Sequence, residues 1–214
     1  MKDLGSYRKS YEKSELIEDV IPKIPIKLFT TWFQEVENFK GIEEVNAMTI
    51  ASIGLDGFPK SRVVLLKQIL EEGLVFYTNY NSEKGKSILE NPKVCLSFFW
   101  PNMERQVIIK GLAEKIAPEI STIYFHSRPI GSQLGAVVSP QSEVIQNREY
   151  LESKLEDLSK KYDNQSIPRP KNWGGFIVKP VSFEFWQGRA NRLHDRIRYE
   201  YDGNNLWKID RLAP

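Results

Sequence analysis

The chain has 214 residues, with 30 Lys and Arg against 28 Asp and Glu, which gives a formal net charge of +2. Its 41% hydrophobic and 27% charged residues are typical of a soluble globular protein and exclude a disordered chain. The near balance of charge argues against a protein that binds nucleic acid through bulk positive charge, although local basic sites stay open.

The sequence offers little support for a disulfide framework, a metal site or a membrane span. The single cysteine, Cys95, excludes an internal disulfide framework, and its apolar neighbours favour a buried small side chain over a reactive thiol. The two histidines, His126 and His194, lack the spacing of a zinc site, so no metal is expected. No apolar run approaches the ~18 residues of a membrane span, and no signal peptide is evident. We therefore expect a cytoplasmic protein without a membrane or nucleic-acid partner.

The first half of the chain is predicted to be mainly β. Residues 1–24 are predicted to form a mobile arm, because charges and tyrosines alternate there without a sustained period. Apolar residues then recur at helical spacing from Ile26 to Phe39. The dipeptide Asp56-Gly57 predicts a hairpin turn, and Ser82 is placed to cap a short helix that ends at Leu89. Strands are predicted at 47–53, 61–66, 74–78, 94–99 and 106–116.

The second half is predicted to bring helices and then strands again. Pro118 suits the first turn of a helix that ends at Ser127, and a Gly- and Ser-rich loop is predicted from Pro129 to Pro140. An apolar stripe over 144–162 predicts a long helix, with a two-helix coiled coil as the alternative. A linker is predicted at 165–171, and strands at 176–178, 182–186 and 206–209. Because strands bracket the helices, the prediction is a single α+β domain over 25–214, built on an antiparallel sheet or closed barrel.

Three segments place basic side chains where an anion could bind. Arg62 and Lys67 flank an apolar run, and their spacing puts them on opposite faces of a strand unless a bulge intervenes. Lys84 lies at a helix N-terminus, which can bind phosphate. Arg128 precedes a Gly- and Ser-rich stretch and could hold an anion with nearby hydroxyl groups. Solvated edge charges, an ordinary helix cap and a surface loop are the respective alternatives.

A fourth segment, 186–198, carries four arginines and one acid, a local charge of +3. Arg192 and His194 lie two residues apart, so on an extended chain they project to the same side, and Arg196 continues that face. Such a cluster without balancing acids costs stability unless an anion or water compensates it. Neighbouring aromatic residues keep single-stranded nucleic acid open as an alternative ligand.

Seven motifs, in order along the chain, resemble the pyridoxine (pyridoxamine) 5′-phosphate oxidase family. Any one of them is weak, but seven in order are highly specific, and the resemblance runs from about Arg8 to the last residue. The motifs are Arg62–Lys67, Phe76–Asn79, Glu104–Val107, Tyr124–Pro129, Phe185–Gly188, Arg192–Arg196 and Trp207–Pro214.

The resemblance implies a fold, a cofactor and a reaction. The fold would be an FMN-binding split β-barrel, antiparallel and Greek-key-like with flanking helices, assembled as a homodimer with FMN at the subunit interface. The reaction would be the oxidation of pyridoxamine or pyridoxine 5′-phosphate to pyridoxal 5′-phosphate, the last step of vitamin B6 biosynthesis and salvage. A hydride would pass from C4′ to flavin N5, and O2 would be reduced to H2O2.

The resemblance also implies which residues form the site. Arg192 and His194 would be catalytic and lie near the pyridine ring, and Arg8 and Tyr11 would belong to a segment that covers the substrate. The substrate phosphate would be bound by Lys67, Tyr124, Arg128 and Ser132. The FMN site would comprise Arg62, Val63, Val64, Leu65, Leu66, Lys67, Tyr77, Thr78, Lys84, Gln106, Gln141, Ser142, Trp186 and Arg196.

One position departs from the family pattern. Glu83 stands where the family commonly has an arginine, and a carboxylate facing the FMN phosphate would repel it. We expect Glu83 to point to solvent, which leaves Arg62, Lys84 and backbone amides for the phosphate. Two other functions stay open: a split-barrel flavoprotein acting on a different substrate, and a non-catalytic carrier of pyridoxal phosphate.

Overall fold

Nine strands form one sheet in the computed structural model, which describes residues 2–39, 41–204 and 206–214. Hydrogen-bonded neighbours follow the order β2-β1-β5-β6-β7-β4-β3, and β8 pairs with both β7 and β9. The strands are β1 (Ala47–Ile53), β2 (Pro59–Leu65), β3 (Gln68–Leu70), β4 (Gly73–Asn79), β5 (Lys93–Trp100), β6 (Arg105–Lys115), β7 (Trp173–Gln187), β8 (Asp195–Tyr201) and β9 (Trp207–Arg211). The helices are α1 (Pro25–Asn38), α2 (Glu83–Glu90), α3 (Pro118–Ser127), α4 (Ile130–Val138) and α5 (Arg148–Lys161).

The chain divides into two compact units that interleave along the sequence. We call residues 1–50, 95–111 and 180–214 the first unit, and residues 51–94 and 112–179 the second unit. The single domain predicted over 25–214 stays a prediction.

Aromatic packing on helix α1 forms the core of the first unit. The ring of Phe29 lies 5.0 Å from that of Phe98, and Trp32 meets Phe185 edge-on at 5.2 Å. All four side chains are buried, and full burial of one such side chain stabilises a fold by about 1.5–3 kcal/mol. The helix begins at Pro25. Because N–H groups in the first turn have no acceptor within the helix, the N–H that proline lacks costs no helical hydrogen bond there.

The N-terminal segment of the first unit is held by ion pairs. Arg211 on β9 pairs with Glu18 and, at 2.7 Å, with Asp195. These hydrogen bonds from Arg211 lower the pKa of Glu18 to about 2. Leu16, which precedes Glu18 by two residues, is buried, and its N–H donates to the carboxylate of Asp195 at 3.0 Å. The mobility expected of residues 1–24 stays a prediction.

In the second unit, helix α2 packs directly against the end of strand β4. The hydroxyl oxygen of Ser82 accepts the Gly85 N–H at 3.2 Å, which confirms the predicted cap. A Cβ atom on Gly85 would lie 2.4 Å from the carbonyl oxygen of Tyr80 and 2.6 Å from that of Asn79. Only glycine permits this close approach of helix α2 to the backbone of residues 79 and 80. The approach fixes the position of the preceding residue, Lys84.

An apolar cluster joins the helices of the second unit to strand β7. Phe125, Leu134, Ile167 and Trp173 are buried together, with Leu158 of α5 packed against them. In strand pairing, the first half of β7 runs antiparallel to β4 from Trp173 opposite Asn79 to Val178 opposite Leu74.

The loop predicted over Pro129–Pro140 is wrong, because residues Ile130–Val138 form helix α4. Glycine and serine disfavour helix interiors by propensity, but burial of Leu134 in the apolar cluster outweighs that cost. The Pro129 carbonyl also accepts the N–H groups of Ser132 and Gln133, which starts the helix.

Strand β7 replaces the two short strands predicted at 176–178 and 182–186. The register of β7 with β4 ends at Val178, and that with β8 begins at Ser182, so that Pro180 lies between them. At position 180, therefore, neither the pairing with β4 nor the pairing with β8 requires the backbone N–H that proline lacks. Strands β3 and β8 lack a counterpart in the sequence prediction, and α5 begins at Arg148, behind an Asn147 cap, rather than at Val144.

Two glycines inside helices should respond oppositely to alanine. Gly85→Ala should destabilise the protein by about 1–3 kcal/mol, because the backbone carbonyls that the new methyl meets cannot move aside. The matched variant Gly135→Ala meets nothing within 4 Å and should gain about 0.4–1 kcal/mol. Urea unfolding of both variants measures the difference, and equal free energies of unfolding would contradict the packing described for α2.

Candidate active site

A cavity of about 640 Å³ opens in the second unit and contains most of the cofactor and substrate residues expected there. Its wall is built by β2, by the end of β4, and by helices α2, α3 and α4. Eleven expected residues line it: Val63, Val64, Leu65, Lys67, Tyr77, Thr78, Lys84, Tyr124, Arg128, Ser132 and Gln141. Arg62, Leu66 and Ser142 are not among the lining residues.

Lys84 is a buried cation in the cavity wall with neutral partners. Its side chain is 9% exposed, and Nζ lies 3.2 Å from both Thr78 Oγ1 and Gln141 Oε1. Burial, with the charge of Arg62, lowers the pKa of Lys84. In the described part of the chain no carboxylate lies within ion-pairing distance of it. An anion in the cavity would therefore relieve a cost that the unliganded fold carries.

Arg128 is a second cation, and it too has no acidic partner among residues 2–39, 41–204 and 206–214. Its guanidinium group lies 4.7 Å from the centre of the Trp173 ring, a cation–π contact. The buried NH1 atom has no hydrogen-bond partner within the described residues, and desolvation lowers the pKa of this arginine. The amide of Gln133 donates to the Arg128 carbonyl at 2.8 Å, which holds the backbone in place. The guanidinium is thus positioned with donor capacity to spare.

Three aromatic rings form a stack beside these cations. The rings of Tyr77 and Tyr124 lie 3.8 Å apart, and Trp173 stacks on Tyr77 at 5.5 Å. Burial raises the pKa of both tyrosines, so each stays a neutral hydroxyl donor. The buried Tyr77 hydroxyl is without a partner in the residues described. A Cβ on Gly175 would lie 2.9 Å from the Tyr77 ring, so glycine is required at this close approach.

Trp173, the helix α4 residues Gly135 and Ala136, and Ser139 directly after that helix also line the cavity, and sequence reasoning missed them. The signal available for Trp173 was its position before two consecutive glycines. The Ser139 and Ala136 contributions were hidden because α4 was taken for a loop.

Glu83 does not simply face solvent, which corrects the expectation. Its half-exposed carboxylate lies 3.2 Å from Lys60 Nζ and 3.3 Å from Arg62 NH2. Arg62 also donates to Ser52 Oγ at 3.2 Å. Arg62, which was expected to bind phosphate, is therefore paired with a carboxylate of the chain itself.

In the first unit, the rings of Tyr11, Trp186 and His194 lie close together. The Tyr11 ring lies 5.7 Å from each of the other two, and Trp186 and His194 are 4.7 Å apart. The Arg189 N–H donates to His194 Nδ1 at 3.1 Å. Since Nδ1 accepts this bond, the neutral imidazole carries its proton on Nε2.

The extended face expected for Arg192, His194 and Arg196 is wrong. Residues Ala190–Arg192 form a 3-10 turn, and Arg192 has a φ of 62°, so side-chain alternation does not apply there. Arg196 lies in strand β8 instead, next to its first residue, where it pairs with Glu184 at 2.8 Å and donates to the Ala213 carbonyl at 2.8 Å.

The segment 186–198 is also better balanced than its local sequence suggests. Arg189 pairs with Glu15 at 3.0 Å, and Arg198 pairs with Asp210 at 2.9 Å. These acids come from distant parts of the sequence, so the assumption that the cluster lacks balancing acids is wrong.

Two other expected residues are placed without a clear partner at the site. Arg8 is exposed, and its Nε donates to the Gly5 carbonyl at 3.2 Å. Gln106 lies half-buried on β6.

Cys95 is also half-buried, and burial raises the pKa of its thiol. Across residues 2–39, 41–204 and 206–214, no helix has both the length and the apolar character needed to cross a membrane.

The cavity fits an anionic ligand that carries a flat ring. Lys84 and Arg128 offer positive charge, the Tyr77 hydroxyl and Arg128 NH1 offer unused donors, and the stacked rings offer an apolar wall. Phosphate esters combine with such donors through charge-assisted hydrogen bonds.

Replacing Lys84 should stabilise the ligand-free protein. Lys84→Met removes a buried charge and should raise the free energy of unfolding by about 0.5–2 kcal/mol at pH 7. Since the pKa of Lys84 is lowered on folding, this gain should shrink as pH rises from the lowered folded pKa to the ordinary lysine pKa, and it should vanish above the latter, where the amine is neutral in both states. Denaturant unfolding between pH 7 and about pH 11 measures it. Lys86→Met, an exposed position of the same helix, should change nothing; a loss of stability in Lys84→Met would contradict the burial argument.

Comparison with known proteins identifies the family. A family model described as "Pyridoxamine 5'-phosphate oxidase" matches residues 34–162, and one described as "Pyridoxine 5'-phosphate oxidase C-terminal dimerisation region" matches residues 173–214. The pyridoxine/pyridoxamine 5′-phosphate oxidase of Flavobacterium psychrophilum is 65% identical over 214 residues and covers the whole of both chains. That of Flavobacterium johnsoniae is 63% identical, again over the whole of both chains.

Solved structures confirm the fold class. PhzG from Burkholderia lata, solved with tetrahydrophenazine-1-carboxylic acid, is 29% identical, with a TM-score of 0.87 over 93% of this chain and 98% of its own. An FMN-binding protein from Nostoc punctiforme, described as related to pyridoxamine 5′-phosphate oxidase, is 16% identical, with a TM-score of 0.73 over 91% of this chain and 100% of its own. The latter likeness concerns the fold alone, an antiparallel split barrel with flanking helices. With one family model spanning more than half of its residues and relatives alike from end to end, the chain belongs to the pyridoxine/pyridoxamine 5′-phosphate oxidase family of oxidoreductases.

Proposed function

We propose that the chain oxidises pyridoxamine and pyridoxine 5′-phosphate to pyridoxal 5′-phosphate, with FMN as cofactor and O2 as acceptor. The observation that carries the proposal is that two cations, the buried Lys84 and the half-buried Arg128, face one cavity and have no acidic partner among the described residues. Membership of the oxidase family supports this choice of reaction over other uses of an anion site. The preceding relatives are named for the same two substrates.

FMN fits the donor set of the second unit. Lys84 would act as a point charge on the cofactor phosphate, and Arg62 would join it after leaving Glu83. The apolar residues Val63 to Leu65 line the same cavity and would contact the flavin ring. When bound, FMN would supply the redox chemistry, the transfer of a hydride from substrate C4′ with O2 as the final acceptor and H2O2 as the product.

The substrate phosphate would be bound by Arg128, Lys67 and Ser132. The guanidinium fork can take two phosphate oxygens at once, and its unpartnered NH1 supports this role. Tyr124 adds a hydroxyl that burial keeps neutral. These residues would fix the ester end of the substrate, which leaves the ring free to be oriented for hydride loss at close range.

Arg192 and His194 would orient the pyridine ring and assist proton loss from its amine or hydroxyl. The Nε2–H that follows from the Arg189 contact makes His194 a hydrogen-bond donor in its neutral form. Neither residue is assigned as an obligatory base. Tyr11, in contact with His194, would belong to the segment that covers the bound substrate, and Arg8 is proposed for the same segment.

A homodimer with FMN at the subunit interface is part of the proposal. The match of residues 173–214 to a dimerisation region supports it. Within that region Leu193 is 69% exposed and Val181 is 43% exposed, and a second subunit would cover such apolar groups. The cytoplasmic location expected from the sequence stays a prediction.

Anaerobic addition of substrate tests the proposed function directly. The purified protein should show a flavin absorption band, and pyridoxamine 5′-phosphate should bleach it without oxygen. Readmitted O2 should restore the band and form H2O2. A flavin band that this substrate does not bleach would favour oxidation of another substrate, and tight binding of pyridoxal phosphate without flavin would favour a carrier.

Glu83 should weaken FMN binding. Glu83→Gln removes the carboxylate that holds Arg62 and should lower the Kd for FMN by about threefold to tenfold, while Glu83→Arg should lower it at least as far. Fluorescence titration of the FMN-free protein measures both. Glu90→Gln, at the other end of the same helix, removes an equal charge and should leave the Kd unchanged; an unchanged Kd in Glu83→Arg would contradict the role given to Glu83.

A further inference from the structure

Glu104 is a buried carboxylate in an unusual backbone conformation. It follows the 3-10 turn Pro101–Met103 and has φ 55° and ψ 39°, in the left-handed region. Its side chain is 2% exposed. A residue with a side chain adopts this conformation at a cost, so it persists only where its surroundings fix it. Burial of an acid adds a second cost, which its contacts must offset.

The contacts of this carboxylate all lead to the N-terminal segment. Glu104 Oε2 accepts the backbone N–H groups of Glu12 at 2.9 Å and Lys13 at 3.1 Å. Lys9 Nζ lies 3.2 Å from Oε1. Burial disfavours the charged carboxylate, but these donors outweigh it and hold the pKa of Glu104 below its ordinary value. Charge-assisted bonds of this kind are about twice as strong as neutral ones.

The position of Tyr11 depends on the same small region. The Gly188 N–H donates to the Glu104 carbonyl at 2.8 Å. A Cβ atom on Gly188 would lie 2.8 Å from Cβ and Cγ of Tyr11 and 3.1 Å from Cβ of Glu104. Tyr11 thus occupies the space that any other side chain at position 188 would need.

We propose that Glu104 is a positioning residue that anchors residues 9–13 and thereby sets Tyr11 against Trp186 and His194. It is not assigned contact with substrate or cofactor. The proposal rests on the proposed function, because its effect on turnover requires Tyr11 to cover the substrate. A cover that contacts ground state and transition state alike contributes to KM rather than to kcat.

Limited proteolysis tests the anchor independently of the reaction. In Glu104→Gln, trypsin should cleave the folded, FMN-loaded protein after Lys9 and Lys13 at least about tenfold faster than in the wild type, because the segment is released more often. Gly188→Ala leaves the carboxylate in place and removes the space for Tyr11, so it should also accelerate cleavage. Glu12→Gln is the matched control, since among the described residues its carboxylate accepts a hydrogen bond only from Ser10, at 2.7 Å.

Steady-state kinetics test the consequence for the site. Glu104→Gln should raise the KM for pyridoxamine 5′-phosphate about tenfold with kcat within about twofold, whereas Glu12→Gln should match the wild type. In the double variant with Tyr11→Ala, the two KM effects should not multiply, because both act through the same ring.

Each outcome decides the matter. Wild-type cleavage rates in a folded Glu104→Gln variant would overturn the anchor. Faster cleavage with an unchanged KM, or KM effects that multiply in the double variant, would overturn the positioning of Tyr11. A wild-type protein that does not oxidise the substrate would overturn the proposed function, while the cleavage rates would still decide whether Glu104 anchors the segment.

Discussion

The burial of positive charge without an acidic partner is the constraint that most of the second unit serves. Lys84 is held by two neutral oxygens, and Arg128 by the face of an indole. Neither arrangement repays the loss of water as a carboxylate would. The rest of the architecture keeps the two groups in place in spite of that cost: Gly85 brings helix α2 against strand β4, and the apolar cluster around Trp173 holds α3 and α4. The fold thus carries a local loss of stability, which the proposed binding of a phosphate ester would offset.

Local sequence signals predicted the elements that depend on local chemistry. The Ser82 cap, the apolar spacing of α1, the proline start of α3 and most strands follow from turn, capping and periodicity rules. Helix α4 was missed because its glycines argue against a helix, and only burial of Leu134 decides otherwise. Strand β8 was missed because its arginines look like a solvated basic run until their partners on other segments are known.

In the candidate site, the identities of many residues could be predicted from the sequence, whereas their contacts could not. Motif resemblance named eleven of the residues that line the cavity, because residue types carry over with the family. It gave no account of how they are held. The role of Trp173 beneath Arg128, the pairing of Glu83 with Arg62 and the bonds from Glu104 to residues 9–13 all depend on long-range geometry. The net charge of +2 likewise concealed arginines that are balanced across distances of more than a hundred residues, as Arg189 and Glu15 are.

The ring stack has an optical consequence. Trp173 is one of five tryptophans, and its indole forms part of the cavity wall itself. An excited indole transfers energy efficiently to a chromophore in van der Waals contact that absorbs in its emission band, as an isoalloxazine ring does. With FMN bound in this cavity as proposed, the same side chain that supports Arg128 would make the protein its own fluorescent indicator, so that filling and emptying of the cavity could be followed in real time without an attached label.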